Sequence, residues 1–295
     1  MTDNIDQYLQ EKRDIINVAL LNQLPEQAPP ALSEAMRYSL EAGGKRLRPI
    51  LTIAAAETIS NIDDDTVNLA CALEYIHTYS LIHDDLPAMD DSKLRRGVPT
   101  CHCVYGDAMA ILAGDALLTL AFETVARYGQ VEGNAVKSVK IAALLSEAAG
   151  MSGMIGGQVL DLEAEGKDLT VQEIERISEL KTGALLRAAV ICGGIAAGAA
   201  EPELGKLRIY ADNIGTAFQI IDDLLDCEGT TEELGKPTGS DLEKAKATYP
   251  ALLGTVKARE KAIELYERSI MAVNELKCDT GILEELAKKI IERKN

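Results

Sequence analysis

Two short stretches gather aspartates: Asp84, Asp85, Asp90 and Asp91, then Asp222, Asp223 and Asp226. Read as helix, the second stretch puts Asp222 and Asp226 one turn apart on one face, which also carries Phe218 and Gly215. Phe218, Ile220, Ile221, Leu224 and Leu225 surround that group. A solvated acidic face is an adequate reading for Asp90 and Asp91, but a poor one for Asp222 and Asp223. Carboxylates in apolar surroundings are paired, metal-bound or shifted in pKa. Two all-oxygen groups suit a hard cation, and magnesium held through carboxylates plus substrate phosphates is the common case. A di-iron bundle would need two Glu-x-x-His pairs. The chain has one, Glu74-Tyr75-Ile76-His77, and only three His in all.

Basic residues cluster where an anion would need them. Gly43-Gly44-Lys45-Arg46-Leu47-Arg48-Pro49 is a glycine turn leading into a basic run, and Lys93, Arg95 and Arg96 follow the first aspartates directly. Lys181 lies in an apolar stretch beside Thr182 and Gly183, and Lys236 and Lys246 follow the second aspartates. Arg grips a diphosphate with a planar fork, and Lys adds a mobile point charge. Ordinary surface charge explains Lys93 or Arg46 as well as an anion site does, but it explains Lys181 less well. Gly44-Lys45 is followed by Arg, so it is not a P-loop. The glycines of 150–157 have no strand-turn-helix setting and read as close helix packing. No Gly-x-Ser-x-Gly and no Ser/His or Cys/His pair points to nucleophilic catalysis. Cys101-His102-Cys103 lacks a second ligand pair at zinc-finger spacing.

The net charge of −17 repels nucleic acid and anionic membranes, so neither is an expected partner. It would also repel a phosphorylated substrate unless metal ions or local basic clusters reverse the field. The six cysteines show no disulfide framework, which fits a reducing cytoplasm. The polar, acidic first ten residues do not read as a signal peptide. Ala188–Ala200, the most apolar stretch, is short and broken by glycines. It reads as a buried helix and not as a bilayer crossing.

These groups must be positioned by helices, because helical periodicity runs through nearly the whole chain and no alternating stretch stands out. Asp63, Asp64, Asp65 and Thr66 read as a cap and first turn, opening a helix that ends near His83 before Pro87. A helix follows over Ala108–Tyr128. Thr170-Val171-Gln172-Glu173 is a capping box. Pro202 suits the first turn of a helix with Leu207, Tyr210, Ile214, Phe218, Ile221 and Leu225 on one stripe. A polar loop over Gly229–Ser240 precedes C-terminal helices. The expected architecture is one all-α domain over residues 1–295, a bundle of about ten or more helices at ~11–12 residues each.

The chain resembles the trans-prenyl diphosphate synthases, and among them the bacterial farnesyl diphosphate synthases. The likeness rests on the segment 43–49, on Ser80-Leu81-Ile82-His83-Asp84-Asp85-Leu86-Pro87-Ala88-Met89-Asp90-Asp91, and on Leu94-Arg95-Arg96-Gly97. It continues through Gly157-Gln158, Lys181-Thr182-Gly183, Phe218-Gln219-Ile220-Ile221-Asp222-Asp223-Leu224-Leu225-Asp226 and Thr248-Tyr249-Pro250. It implies an isoprenoid synthase helical bundle around a central cavity, as a homodimer. It implies that isopentenyl diphosphate joins dimethylallyl or geranyl diphosphate head to tail. Three magnesium ions would sit on Asp84, Asp90 and Asp222, with Asp85, Asp223 and Asp226 in the same motifs. Arg95, Lys181, Lys236 and Lys246 would bind the allylic diphosphate. Gly44, Lys45, Arg48, His77 and Arg96 would hold isopentenyl diphosphate. Thr182, Gln219 and the Lys181 carbonyl would stabilise the allylic cation by their dipoles. The segment 235–239 varies within the family, which leaves Lys246 less defined than Lys236.

The resemblance also implies a product length. The growing chain would run down the helix ending at Asp84. Tyr79 lies ~7–8 Å below that site along the axis, and Ser80 lies one turn below Asp84 on nearly its own face. A Tyr ring can form a floor there and a Ser cannot, so fifteen carbons are expected. The plainer reading of Tyr79 is a core aromatic with its hydroxyl satisfied. A geranylgeranyl diphosphate synthase is the alternative enzyme. A terpene cyclase would not need the Lys45/Arg48 pocket. A non-catalytic partner subunit would not need Asp84, Asp90, Asp222 and Lys181 intact.

Overall fold

Asp63 starts the helix on which the first aspartates depend. Its carboxylate accepts the Thr66 N–H at 2.9 Å and the Thr66 hydroxyl at 2.8 Å, capping helix α4, Asp64–Asp84. Asp64 and Asp65 sit in its first turn, where carboxylates favour the positive end of the helix dipole. The computed structural model describes residues 2–228 and 248–293. Those residues group into two compact units, one from 1–53 with 62–142 and the other from 54–61 with 143–295.

In the first unit, α4 is apolar nearly all round, with Leu69 to Ile76 buried without interruption. It packs against α1 (Thr2–Asn22), α2 (Pro30–Glu41) and α6 (Asp107–Gln130). Small residues on α6, among them Ala110, Ala113, Gly114 and Ala121, are buried at close range. The buried Tyr75 hydroxyl donates to the Leu20 carbonyl at 2.7 Å, tying α4 to α1. After the basic run, α3 (Leu47–Ile59) begins. Between α4 and the short α5 (Cys101–Tyr105) lies a small antiparallel ribbon of β1 (Leu94–Arg95) and β2 (Val98–Pro99). Its two turn residues, Arg96 and Gly97, have φ of +53° and +81°, the signature of a tight two-residue hairpin. Alternation over two residues per strand is too short to read from sequence.

In the second unit, Thr170 caps α9 (Val171–Ser178), and the full capping box with Glu173 is present. The helix runs on through a π turn, Glu179–Gly183, into α10, Ala184–Ala197. Nearly all of α10 is buried, and it packs on α11, Glu201–Glu228. A Cβ at Gly194 would sit 2.7 Å from Leu207 of α11, so glycine lets these helices close up. On α11, Leu207, Tyr210, Ile214 and Ile221 of the expected stripe are buried, while Phe218 and Leu225 are half-buried. The unit is completed by α8 (Met154–Ala164), α12 (Tyr249–Leu253), α13 (Thr255–Val273) and α14 (Gly281–Glu292). The helix α7, Ala135–Ala149, spans the boundary at residue 142.

The all-α expectation holds. The stretches 107–130, 135–164 and 171–197 are each long and apolar enough to cross a membrane by length and composition alone. In the last, 67 % of the most apolar window is buried inside the protein. The loop expected at Gly229–Ser240 lies outside the described residues, as do Lys236 and Lys246.

Candidate active site

The first unit gathers an acidic and a basic group around the end of α4. The chain leaves the helix at Asp85 and folds back, so that the Asp90 N–H donates to the Asp84 carbonyl at 2.9 Å. Asp84 and Asp90 are half-buried, and Asp85 is buried. Arg95, on β1, grips Asp85 with both prongs: Nε to Oδ2 at 2.8 Å and Nη2 to Oδ1 at 2.6 Å. Burial works against the Arg95 charge, but the Asp85 hydrogen bonds and the charges of Asp85, Asp84 and Asp90 outweigh it and raise its pKa. Arg95 therefore stands within electrostatic reach of all three carboxylates, and Asp85 is already committed to it. Asp91 is exposed and pairs with Lys93 at 2.7 Å, which is the surface reading of both.

The glycine turn meets this group through Arg96. Its Nη1 donates to the Gly43 carbonyl. Gly44 has φ of +133°, and a Cβ there would lie 2.5 Å from the Arg96 guanidinium. Gly44 thus clears a seat for Arg96. His77 is half-buried near this cluster. Desolvation, then the charges of Arg48, Arg96, Arg95 and Arg46, hold its pKa well below the usual histidine range. It is neutral at pH 7, when one ring nitrogen can donate and the other accept. Three cations that anion binding would use, Arg48, Arg95 and Arg96, thus influence one imidazole.

Arg46 departs from its neighbours. Its backbone is left-handed, φ +50°, and its side chain turns inward. Nη1 donates to Glu74 at 2.8 Å and Nε to Asn17 at 2.8 Å, while Nη2 meets the Leu40 carbonyl. Both side chains of the pair are nearly sealed from solvent, at 3 % and 2 % exposure. Arg46 holds α1, α2 and α4 together. Lys45 stays exposed and Arg48 half-buried at the start of α3.

One turn and one residue before Asp84, the Tyr79 ring is 5 % exposed. Its hydroxyl has no hydrogen-bond partner among the described residues, and burial and then Asp84 push its pKa up to about 12. His83 stands edge-on to the Tyr79 ring, centroids 5.8 Å apart at 78°. The His83 Nε2 lies 3.1 Å from the Ile111 carbonyl. A Cβ at Gly114 would run into the imidazole. Ser80 folds back on its own helix, donating to the His77 carbonyl at 2.8 Å.

The second unit, taken by itself, holds Lys181, Thr182 and the other aspartates. Lys181 sits in the π turn, a bulge that breaks helical register. Its Nζ donates to Asp161 of α8 at 2.6 Å. Gly157 permits this approach, since a Cβ there would collide with the Lys181 backbone nitrogen. The Thr182 hydroxyl donates to Gln219 Oε1 at 3.0 Å, Gln219 Nε2 donates to Asp223 Oδ1 at 2.8 Å, and the Tyr249 N–H donates to Asp223 Oδ2 at 3.1 Å. Lys181, Thr182, Gln219, Asp223, Asp161 and Thr248 line a cavity of about 150 Å³. Asp226 is buried, and Asp222 is nearly half exposed and meets Arg293.

Two residues that sequence reading passed over belong here. Asp161 carries the hint of standing one turn after Gly157 in a Gly157-Gln158-x-x-Asp161 run. Arg293 carries none, being 71 positions from Asp222. Among the described residues no three His, Cys, Asp or Glu side chains gather into a ready metal cage. Magnesium bound through one or two carboxylates and substrate phosphates needs no such cage. Asp84 and Asp90 in the first unit fit that demand by type, and so, separately, do Asp222 and Asp226 in the second.

The profile of the polyprenyl synthetase family matches residues 29–282. The chain is similar to the farnesyl diphosphate synthase of Bacillus subtilis strain 168, with 42 % identity over 99 % of each chain. It is similar to a geranylgeranyl diphosphate synthase of Cyanophora paradoxa, with 47 % identity over 90 % of this chain and 89 % of that one. Among solved structures it is similar to an FPP/GFPP synthase of Zymomonas mobilis, with a TM-score of 0.87 and 35 % identity, covering 99 % of this chain and 100 % of that one.

Proposed function

The chain belongs to the polyprenyl synthetase family, and from that premise we propose that it condenses isopentenyl diphosphate with dimethylallyl and then geranyl diphosphate to give (E,E)-farnesyl diphosphate. Prenyl transfer itself comes with the family. The product length rests on one observation, the buried Tyr79 ring below Asp84, held edge-on by His83. The relatives include both farnesyl and geranylgeranyl synthases, so twenty carbons is the second reading.

In this reading Asp84, Asp90, Asp222 and Asp226 would hold magnesium, which when bound neutralises charge developing on the leaving diphosphate. Arg95 and Lys181 bind the allylic diphosphate, with Lys236 and Lys246 in the same role. Gly44, Lys45, Arg48, Arg96 and neutral His77 hold isopentenyl diphosphate. Asp85 anchors Arg95, and Asp161 steers Lys181. Thr182, Gln219 and the Lys181 carbonyl turn dipoles toward the allylic cation in a cavity that limits water. No protein nucleophile is needed. A homodimer in the cytoplasm is part of the same proposal.

The test is product analysis. The purified protein, with isopentenyl and dimethylallyl diphosphates and magnesium, should yield mainly fifteen-carbon product by chromatography after dephosphorylation. Tyr79→Ala should shift it to twenty carbons or more. A wild type that makes mainly twenty carbons overturns the farnesyl assignment. A variant that still stops at fifteen removes Tyr79 as the floor.

A further inference from the structure

Asp223 reads in sequence as one more metal ligand, but its surroundings give it another task. It is 7 % exposed, and each carboxylate oxygen accepts a hydrogen bond, Oδ1 from Gln219 Nε2 at 2.8 Å and Oδ2 from the Tyr249 N–H at 3.1 Å. The Tyr249 N–H belongs to the first turn of α12 and has no acceptor within its own helix. A buried donor of this kind is costly to leave unmet.

The chemistry of these groups fixes a direction. An ionised carboxylate only accepts, so the end of the Gln219 amide facing Asp223 must be its NH₂. The carbonyl end is then turned to Thr182, 3.0 Å away, and can only accept from that hydroxyl. With its proton committed to Gln219, the Thr182 oxygen has only lone pairs to offer elsewhere. Thr182, Gln219 and Asp223 all line the cavity that Lys181 also lines. Were Gln219 flipped, Thr182 could turn its proton into that space instead. A positive carbon is stabilised by the first arrangement and destabilised by the second.

We propose that Asp223 is a positioning residue that sets the polarity of Gln219 and Thr182 toward the allylic cation, and that it is not a magnesium ligand. This rests on the prenyl-transfer reading of the site and adds to it a role for the second aspartate of the motif.

The deciding experiment compares two inhibitors in Asp223→Asn and in the wild type. One is an ammonium analogue of the allylic substrate, carrying positive charge at the reacting carbon and assayed with inorganic diphosphate. The other is the allylic thiolodiphosphate, neutral at that carbon. The substitution should lower kcat by about 10²-fold. It should weaken the ammonium analogue by a similar factor and leave the thiolodiphosphate and the magnesium concentration for half-maximal rate within about twofold. A tenfold higher magnesium requirement, with both inhibitors changed equally, overturns the proposal and makes Asp223 a ligand.

Gln219→Leu cuts the same path while leaving the bond from Asp223 to Tyr249 in place, so it serves if Asp223→Asn does not fold. It should show the same loss of selectivity for the ammonium analogue, and unchanged selectivity there would also overturn the proposal. Thr182→Val tests the underlying reading. If it is silent, the cation-stabilising role of Thr182 fails and the proposal fails with it. If Thr182→Val loses selectivity and Asp223→Asn does not, only the role of Asp223 falls.

Discussion

Arg293 donates from Nη2 to Asp222, the half-exposed carboxylate of the second aspartate group, and from the same nitrogen to the Phe218 carbonyl at 2.8 Å. Its guanidinium lies 3.9 Å from the centre of the Phe218 ring, a cation–π contact that holds it over α11. If Asp222 carries magnesium during turnover, Arg293 competes for the same oxygens. Removing the competing charge with Arg293→Gln should lower the magnesium concentration for half-maximal rate by about two- to fivefold, the scale of a partly exposed ion pair. Asp222→Ala and Asp84→Ala should each cost ~10²–10³ in kcat while leaving the circular dichroism spectrum intact. A magnesium titration of all three proteins checks this, and near-normal turnover by either alanine variant at low magnesium would remove the metal assignment.

Arg48 and Lys181 should separate kinetically. Arg48 opens α3 and is one of the charges acting on His77, whereas Lys181 lies in the π turn beside Thr182. Arg48→Ala should mainly raise KM for isopentenyl diphosphate, and Lys181→Ala should slow or weaken the allylic substrate. Asp161→Asn, which removes the charge held against Lys181 Nζ at 2.6 Å, should resemble Lys181→Ala in milder form. Steady-state kinetics with each substrate varied in turn would show this. Equal changes for both substrates in every variant would refute two separate pockets.

Glu74→Ala should unfold the protein more readily without touching the chemistry directly. It leaves the Arg46 charge buried with its main partner gone. Breaking a buried pair from one side typically costs ~3–5 kcal/mol. A urea midpoint that moves little would show that Asn17 and the Leu40 carbonyl suffice to hold Arg46.

His77 predicts a pH dependence of stability. Its pKa in the folded protein lies well below the unfolded value of ~6.5. Above about pH 6.5 neither state is protonated and His77 adds no slope. Below it the unfolded chain takes the proton first, so stability falls as pH drops toward the folded pKa. The difference in urea midpoint between pH 8 and pH 5.5 should therefore be smaller in His77→Gln than in the wild type. Equal differences would show that His77 is protonated as easily folded as unfolded.

The helices and both aspartate groups were legible because their signals are local. A cap at Asp63, a capping box at Thr170 and Pro202 in a first turn each act within a few residues, and all three helices begin there. What a carboxylate is already bonded to was not legible. Asp84 and Asp85 are adjacent and of one type, yet only Asp85 lies in the grip of both Arg95 prongs, because the β ribbon brings Arg95 back to it. Arg46 and Lys45 likewise look interchangeable until the left-handed backbone at 46 sends one side chain inward. Arg293 was invisible for a different reason: its partner is fixed by where α14 packs, which no pattern of spacing encodes.

The π turn at Glu179–Gly183 carries a consequence for how this site could be lost. A π turn closes its hydrogen bonds one residue later than an α turn, so it amounts to a single inserted position within a continuous helix. Deleting one residue there would restore a regular helix. Because the wide turn absorbs the extra residue, the helix on either side would keep its facing, and the capping box at Thr170 and the buried face of α10 could each survive. The lysine, the hydroxyl that follows it and Gly183, whose Cα a Cβ at Gly215 would approach within 3.3 Å, could not all keep their directions. One codon thus separates a helix that only packs from a helix that also aims an ammonium and a hydroxyl into a cavity.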